Sequence, residues 1–226
     1  LACMFHEYFL IMDFQVIIDN LPLYLQGLRT TIVLVFASLI LGLVLAIPIA
    51  LLAASKRKWV AALPKAYIYF FRGTPLLVQI YIIYFFVGTM LKLSAFTAGT
   101  AALAIFAGAY VGEIVRAGIQ SIHKGQMEAA RSLGMSYAEA MRHIILPQAF
   151  KRIIPPLAGQ FISLIKDSSL VSVIALADLM FQGQQAVAKT YYAFEIYFTV
   201  AFLYLVMTFT LSMGTQYIER RLAISD

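Results

Sequence analysis

Three groups of residues in this chain have the types and spacing to do something specific. Glu113 and Arg116 stand three apart, so on a helix they share a face and can pair. Lys166 and Asp167 are consecutive inside the otherwise apolar run from Ile153 to Ala177. Ionisable residues in such a run usually face a bundle interior or a water-filled cavity. Consecutive helical residues point about 100° apart, so one of this pair looks inward while the other pairs or reaches an interface. The third group is a polar stretch of helix formers that carries Glu128, Ala129 and Ala130, is closed by Gly134, and is followed by Ile144, Leu146 and Pro147. These groups can form ion pairs, bind a charged ligand or seat a partner. They do not make a catalytic centre, because His6, His123 and His143 are scattered and no paired carboxylates fall at one depth. Cys3 is alone, and no Cys/His cluster suggests a metal site. A phosphate loop would end in Gly-Lys-Ser/Thr, whereas Lys124-Gly125 has the reverse order, so no ATP site is expected on this chain.

The elements that hold these groups follow from composition. At 62% hydrophobic and 12% charged over 226 residues, the chain departs from soluble domains, which run about 45–50% apolar and about 25% charged. Soluble enzymes, disordered chains and disulfide scaffolds are excluded together. The net charge of +6 does not describe a nucleic-acid footprint, because the basic residues punctuate apolar runs rather than gather on a polar face. The runs Thr30 to Ser55, Gly73 to Leu91, Leu93 to Gly112 and Ile196 to Ile218 carry no charge. Each is long enough to cross about 30 Å of hydrocarbon at 1.5 Å per residue. Their continuity predicts helices rather than the alternating ten-residue segments of a membrane barrel. The first run is too long for a cleavable signal peptide.

The expectation is an all-α integral membrane protein, a single transmembrane domain over 1–226. About five spans fall near 28–55, 66–91, 93–118, 150–177 and 195–219, with a loop near 121–147. Short loops rich in Lys and Arg stay in the cytoplasm. One orientation gathers Lys56, Arg57, Lys58, Lys65, Arg72, Arg116, Lys124, Arg131, Arg142, Lys151, Arg152, Arg220 and Arg221 inside. It leaves Arg29, Lys92, Lys166 and Lys189 outside or embedded, with the N-terminus outside and the C-terminus inside. A second loop, from about Ser168 to Phe194, is external or re-entrant on this map.

The loop at 121–147 is far longer than a plain connector. Gln126 to Leu133 are strong helix formers, and Gly134 is a natural stop. Ser136 with Glu139 makes a capping box for a second short helix, and Pro147 stands where a membrane helix can begin. Two short helices at an angle on the membrane surface are predicted. Without a partner they would be an interfacial amphipathic hairpin.

Glu128-Ala129-Ala130, three residues, Gly134, nine residues, then Ile144, Leu146 and Pro147 resembles the EAA signature of the membrane subunits of bacterial ATP-binding-cassette importers, with every fixed position present. The resemblance implies that this loop docks into a groove on a cytoplasmic ATPase subunit, with Glu128, Ala129 and Gly134 making or shaping the contact. Arg131 and Glu139 are candidates for ion pairs or for a solvated face.

Phe71-Arg72-Gly73-Thr74-Pro75-Leu76-Leu77-Val78-Gln79 resembles a segment of the polar amino acid uptake permeases, as do Ala109 to Gly118 and Lys166-Asp167-Ser168-Ser169-Leu170. The likeness covers Leu28 to Arg221. It implies a permease subunit in the bacterial cytoplasmic (inner) membrane that imports polar amino acids by alternating access. The implied partners are two ABC ATPase subunits, a second copy or a paralogous permease subunit, an extracytoplasmic solute-binding protein and membrane lipid, with ATP and Mg held by the partner and no nucleic acid. Asp167, Glu113, Gln79 and Ser168 are the candidate substrate-pathway residues, Asp167 facing a substrate ammonium or else, with Ser168 and Ser169, ending a helix. For Glu113 with Arg116 the other reading is a structural pair, and for Arg72-Gly73-Thr74-Pro75 the readings are a helix boundary or a gate. A channel or a structural or assembly subunit that uses no ATP would explain the hydrophobicity and charge bias, but not a complete EAA loop.

Overall fold

The computed structural model describes residues 13–55 and 57–223, with side chains through Tyr217. Cys3, His6 and Lys56, and the side chains of Arg220 and Arg221, lie outside the described residues. The described chain is a succession of helices: α1 (Phe14–Asp19), α2 (Leu21–Ala53), α3 (Lys58–Gly73), α4 (Leu76–Leu91), α5 (Ala95–Gln120), α6 (Lys124–Ser132), α7 (Tyr137–Ile174), α8 (Leu179–Thr190) and α9 (Ala193–Ala223). α2, α5, α7 and α9 are each long and apolar enough to cross a bilayer, and α3 with α4 makes a fifth candidate as a bent pair.

α5 is the pillar of the bundle. Ser94 caps its first turn by accepting from the Thr97 N–H at 3.1 Å. Its buried face is built from small residues, including Ala98, Gly99, Ala102, Ala104, Ala107, Gly108 and Gly112. In lipid, helices associate through close packing rather than through expulsion of water, and small residues let backbones approach. A Cβ added at Gly42 of α2 would stand 3.1 Å from the Cβ of Ala107, and one at Gly112 would stand 3.2 Å from Ile49. Ser38 adds a hydroxyl donated to the Thr100 carbonyl at 3.3 Å. The contact partners climb both helices together, so α2 and α5 run parallel. The segment between them must therefore bring the chain back.

That return is not a straight rod over 66–91. α3 and α4 meet at a bend of 108°. Pro75 cannot continue a helix and disfavours helical backbone at the residue before it. Thr74 is accordingly extended, with φ −113° and ψ 147°. α3 lies against α2 and α5, and α4 returns along α5 to the turn at Lys92.

The other end of the chain closes over the same core. α7 packs on α5 and α9, and α8 lies across α2. The α2–α8 crossing is so close that a Cβ at Gly27 would come 2.7 Å from the Leu179 Cα and 2.9 Å from the Asp178 carbonyl oxygen. The outer faces of α2 and α9 stay apolar and exposed, with Phe36, Val44, Phe202 and Phe209 among them. That surface suits lipid or neighbouring apolar protein, and costs too much in water to be left bare.

Gly27→Ala forces α8 backbone away from α2, and overpacking of this kind costs about 1–3 kcal/mol. Gly159→Ala meets nothing within 4 Å. Thermal denaturation in detergent is expected to fall by several degrees for the first and to hold or rise for the second.

Candidate functional site

The loop joining α5 to α7 is tied down from below and open above. α6 starts at His123, whose Nδ1 accepts from the Gly125 N–H at 3.1 Å. It ends in a Schellman closure: the Met135 N–H reaches back to the Ala130 carbonyl at 3.2 Å and the Gly134 N–H to Arg131 at 3.1 Å. Gly134 sits at φ +87°, left-handed backbone that a side chain strains. The Arg131 guanidinium donates to the Met135 carbonyl at 2.9 Å, fixing the corner from outside. Ser136 and Glu139 then form the expected capping box, with Ser136 N–H to Glu139 at 2.7 Å and Glu139 N–H to Ser136 at 3.2 Å.

The helix beyond that box differs from the expectation. It is not a second short helix followed by a membrane helix starting at Pro147. α7 runs unbroken from Tyr137, through a π turn at Met141–Ile145, into Leu146–Asp167. The Leu146 N–H bonds to the Met141 carbonyl, five residues back. That widened turn accommodates Pro147, whose ring would strike the carbonyl four residues back in plain α-helix.

Ile122, Ile145, Ala149 and Ile153 form a buried cluster under this loop, with Ile144 and Met127 packed on it. Arg152 donates to the Ser121 carbonyl at 2.6 Å, clamping α7 to the end of α5. Ala130 faces inward, while Glu128, Ala129, Gly134, Tyr137, Leu146 and Pro147 face out. Leu133, 84% exposed, is the largest apolar group offered by the corner. The result is a rigid, two-helix knuckle that presents a small, mixed polar and apolar face.

A second constellation occupies the bend between α3 and α4. Breaking a helix orphans its last carbonyls, and within a membrane each unsatisfied one costs several kcal/mol. Gln79 repairs this: its side-chain NH2 donates to the Phe71 carbonyl at 2.9 Å, the Thr74 carbonyl at 3.1 Å and the Thr74 hydroxyl at 2.9 Å. The Thr74 hydroxyl in turn donates to the Phe70 carbonyl at 2.8 Å. Gln79 is buried at 3% exposure, and its own amide oxygen has no partner. Beside the bend, Glu113 accepts from Arg116 Nε at 2.8 Å and lies 3.6 Å from Arg72 Nη1. Arg72 also stacks its guanidinium over the Tyr110 ring at 5.2 Å. Glu113 therefore pins the end of α3 to α5.

The third constellation is a 3₁₀ turn, Ser168–Ile174, at the end of α7. Asp167 is half-buried with Lys166 exposed beside it. Ser168 is fully buried, and its hydroxyl donates to the Ile165 carbonyl at 2.7 Å. The turn packs against α4 near the bend, so two irregular backbone segments meet inside the bundle.

Next to it, Asp178 is fully buried and caps α8, accepting from the Phe181 N–H at 2.9 Å and the Met180 N–H at 3.3 Å. The Tyr204 hydroxyl donates to it at 3.3 Å, with the hydroxyls of Thr31 and Ser168 as further neighbours. Thr31 itself accepts from the Leu179 N–H at 3.0 Å. Burial pushes the Asp178 carboxyl up to about 6, against the pull of these donors.

The candidate pathway residues thus take different places. Asp167 and Glu113 are both partly exposed, and of the two only Asp167 is not held by arginines. Gln79 braces the bend, Glu113 is held by two arginines, and Ser168 belongs to the buried hydroxyl network. Asp178 was missed from sequence; the signal available was an Asp immediately ahead of an amphipathic stretch, a helix-cap position.

Comparison with known proteins places this geometry. The family described as binding-protein-dependent transport system inner membrane component matches residues 46–224. The probable glutamine ABC transporter permease protein GlnM of Bacillus subtilis is 43% identical over 212 residues, covering 93% of this chain and 98% of that one. The glutamine transport system permease protein GlnP of Escherichia coli K12 is 40% identical over 219 residues, covering 94% and 98%. A crystal structure of an amino acid ABC transporter with histidines superimposes with a TM-score of 0.87 at 45% identity, covering 93% of this chain and 99% of that one. An inward-facing MetNI methionine ABC transporter shares the fold, with a TM-score of 0.77 at 20% identity and coverage of 88% and 96%.

Gln79→Leu keeps the volume but strands the Phe71 and Thr74 carbonyls. A buried unsatisfied group costs about 1–3 kcal/mol, so a clear fall in melting temperature is expected. Thr74→Val, which removes one hydroxyl from the same brace, is expected to show a smaller fall.

Proposed function

The chain belongs to the family of binding-protein-dependent transport system inner membrane components, and from that premise we propose how its geometry serves transport. It is the membrane-spanning permease subunit of an ABC importer for polar amino acids. Its relatives carry glutamine, arginine and cystine in their names. The observation that carries the mechanism is the knuckle of α6 and α7, anchored on a buried apolar cluster yet exposed along Glu128, Ala129, Leu133 and Tyr137.

In this reading the knuckle is the docking element for a cytoplasmic ATPase subunit, which binds ATP and Mg. A second permease subunit, a copy or a paralogue, completes the pathway, and a solute-binding protein delivers cargo at the opposite face. The N-terminus lies outside and the C-terminus inside. Closure of the ATPases pushes the knuckle, and α7 carries the push to the 3₁₀ turn beside the α3–α4 bend. Irregular backbone at membrane depth is tolerated where it is buried in protein or lines a watery cavity. Transporter sites are commonly built at such interrupted helices. We assign Asp167, the acidic group beside these two segments that is not locked in a cap or clamp, to the substrate ammonium.

Two tests follow. Gly134→Val keeps open space around the side chain but forces a β-branched residue into left-handed backbone. The permease–ATPase complex is expected to lose transport-coupled hydrolysis, or to lose the ATPase altogether, in co-purification and ATPase assays. Asp167→Asn is expected to lower substrate-stimulated uptake in proteoliposomes by about tenfold, the factor for 1.4 kcal/mol, with the complex still assembled. Wild-type uptake by Asp167→Asn would remove that residue from the pathway.

A further inference from the structure

α3 carries three different faces. Ala61, Pro64 and Ile68 are buried against the bundle. Trp59, Leu63 and Phe70 form an exposed apolar stripe, Trp59 at 91% exposure. Lys58, Lys65 and Arg72 recur every seven residues, which on a helix places them along one edge between those two faces. An amphipathic helix with a basic edge and an exposed tryptophan is the pattern of a helix lying at the headgroup level of a bilayer.

The basic edge is not uniformly open. Lys65, Ile68, Tyr69 and Arg72 of α3 face Glu113 and Arg116 of α5 across a pocket of about 130 Å³. Arg116 stands one turn from the end of α5, near the loop that bears α6. Three cations therefore line a pocket that holds one carboxylate. Glu113 is engaged by Arg116 and by Arg72, while Lys65 makes no ion pair among the described residues. The pocket keeps a surplus of positive charge beside the exposed apolar stripe of Trp59, Leu63 and Phe70.

We propose that this pocket binds the phosphate of an anionic phospholipid headgroup, with Lys65 and Arg72 as the charged donors, Tyr69 at its rim and the acyl chains running over Trp59, Leu63 and Phe70. Basic pockets between membrane helices near the interface bind such headgroups. Guanidinium groups suit phosphate because they offer parallel N–H donors. The Glu113 carboxylate holds Arg116 through two of its N–H groups, and Gln120 takes a third, which leaves Arg72, 3.6 Å from the carboxylate, the freer guanidinium. The inference concerns lipid, not cargo, and stands apart from the transport reading.

The test uses the full permease, purified in detergent with mixed phosphatidylglycerol and phosphatidylcholine and examined by native mass spectrometry. Wild type is expected to retain phosphatidylglycerol preferentially. Lys65→Gln is expected to lower that retention about fivefold, the factor contributed by one interfacial cation, with an unchanged elution profile showing that the fold is intact. Lys92→Gln, which removes the same charge from the turn between α4 and α5, is expected to leave retention as in wild type. Equal losses from the two variants, or no preference for phosphatidylglycerol, would overturn the proposal. Displacement of the lipid by inorganic phosphate at millimolar concentration would make the pocket a free-anion site. Displacement by an amino acid would assign it to cargo. Either result also overturns it.

Discussion

Close approach of backbones at α5 is the constraint on which the other helices depend. Lipid tails are as apolar as leucine, so no hydrophobic gain drives one membrane helix against another. What remains is dispersion and short-range complementarity, each atom pair contributing only about 0.1–0.2 kcal/mol and only near 4 Å. The alanines and glycines of α5 make that distance available on several sides at once, to α2, α3, α4 and α7. A larger residue at Gly118, where a Cβ would come within 3.0 Å of two Ile153 atoms, would push α7 away and with it the anchor beneath α6. The loop geometry therefore rests on the smallness of residues that do not touch it.

A bundle held this tightly can afford irregular backbone only where side chains repair it. The repairs are specific. At the α3–α4 bend, one glutamine and one threonine satisfy carbonyls that Pro75 strands. At the α7–α8 corner, Asp178, Tyr204 and Thr31 do the same for the N–H groups that open α8. Gln79 at the first place and Asp178 and Thr31 at the second are more than nine-tenths buried. This explains why Gln79 and Ser168, attractive as pathway residues by type and position, are occupied with structure, and why the partly open Asp167 stands out among them.

Much of this was legible in the chain before its coordinates. The charge-free runs, the stop at Gly134 and the box of Ser136 with Glu139 are local signals, set by periodicity or by backbone geometry that few residues tolerate. The pairing of Glu113 with Arg116 follows from spacing alone. The bend was half legible: Gly73-Thr74-Pro75 marks a helix boundary, but its 108° angle depends on Gln79 closing the gap, a contact with no sequence signature. Continuity of α7 through Pro147 was hidden for the same reason. A proline reads as a helix start, and only the π turn before it lets the helix pass. Asp178 was the least legible, because its burial depends on Tyr204 and Thr31, each distant in the chain.

That continuity has a mechanical consequence. Had a new helix begun at Pro147, a flexible joint would separate the loop from the membrane, and displacement of α6 would dissipate there. Instead α7 runs 38 residues from the capping box through the end of the 3₁₀ turn, with one end locked to α6 through the Schellman corner and the Ile122 cluster. Its other end abuts Asp178 and the bend. Packed interfaces of this kind switch between discrete arrangements rather than deform smoothly. A shift imposed at Gly134 therefore has one stiff element to travel along and one irregular corner in which to be absorbed, and Asp167 sits where the helix gives way to that corner.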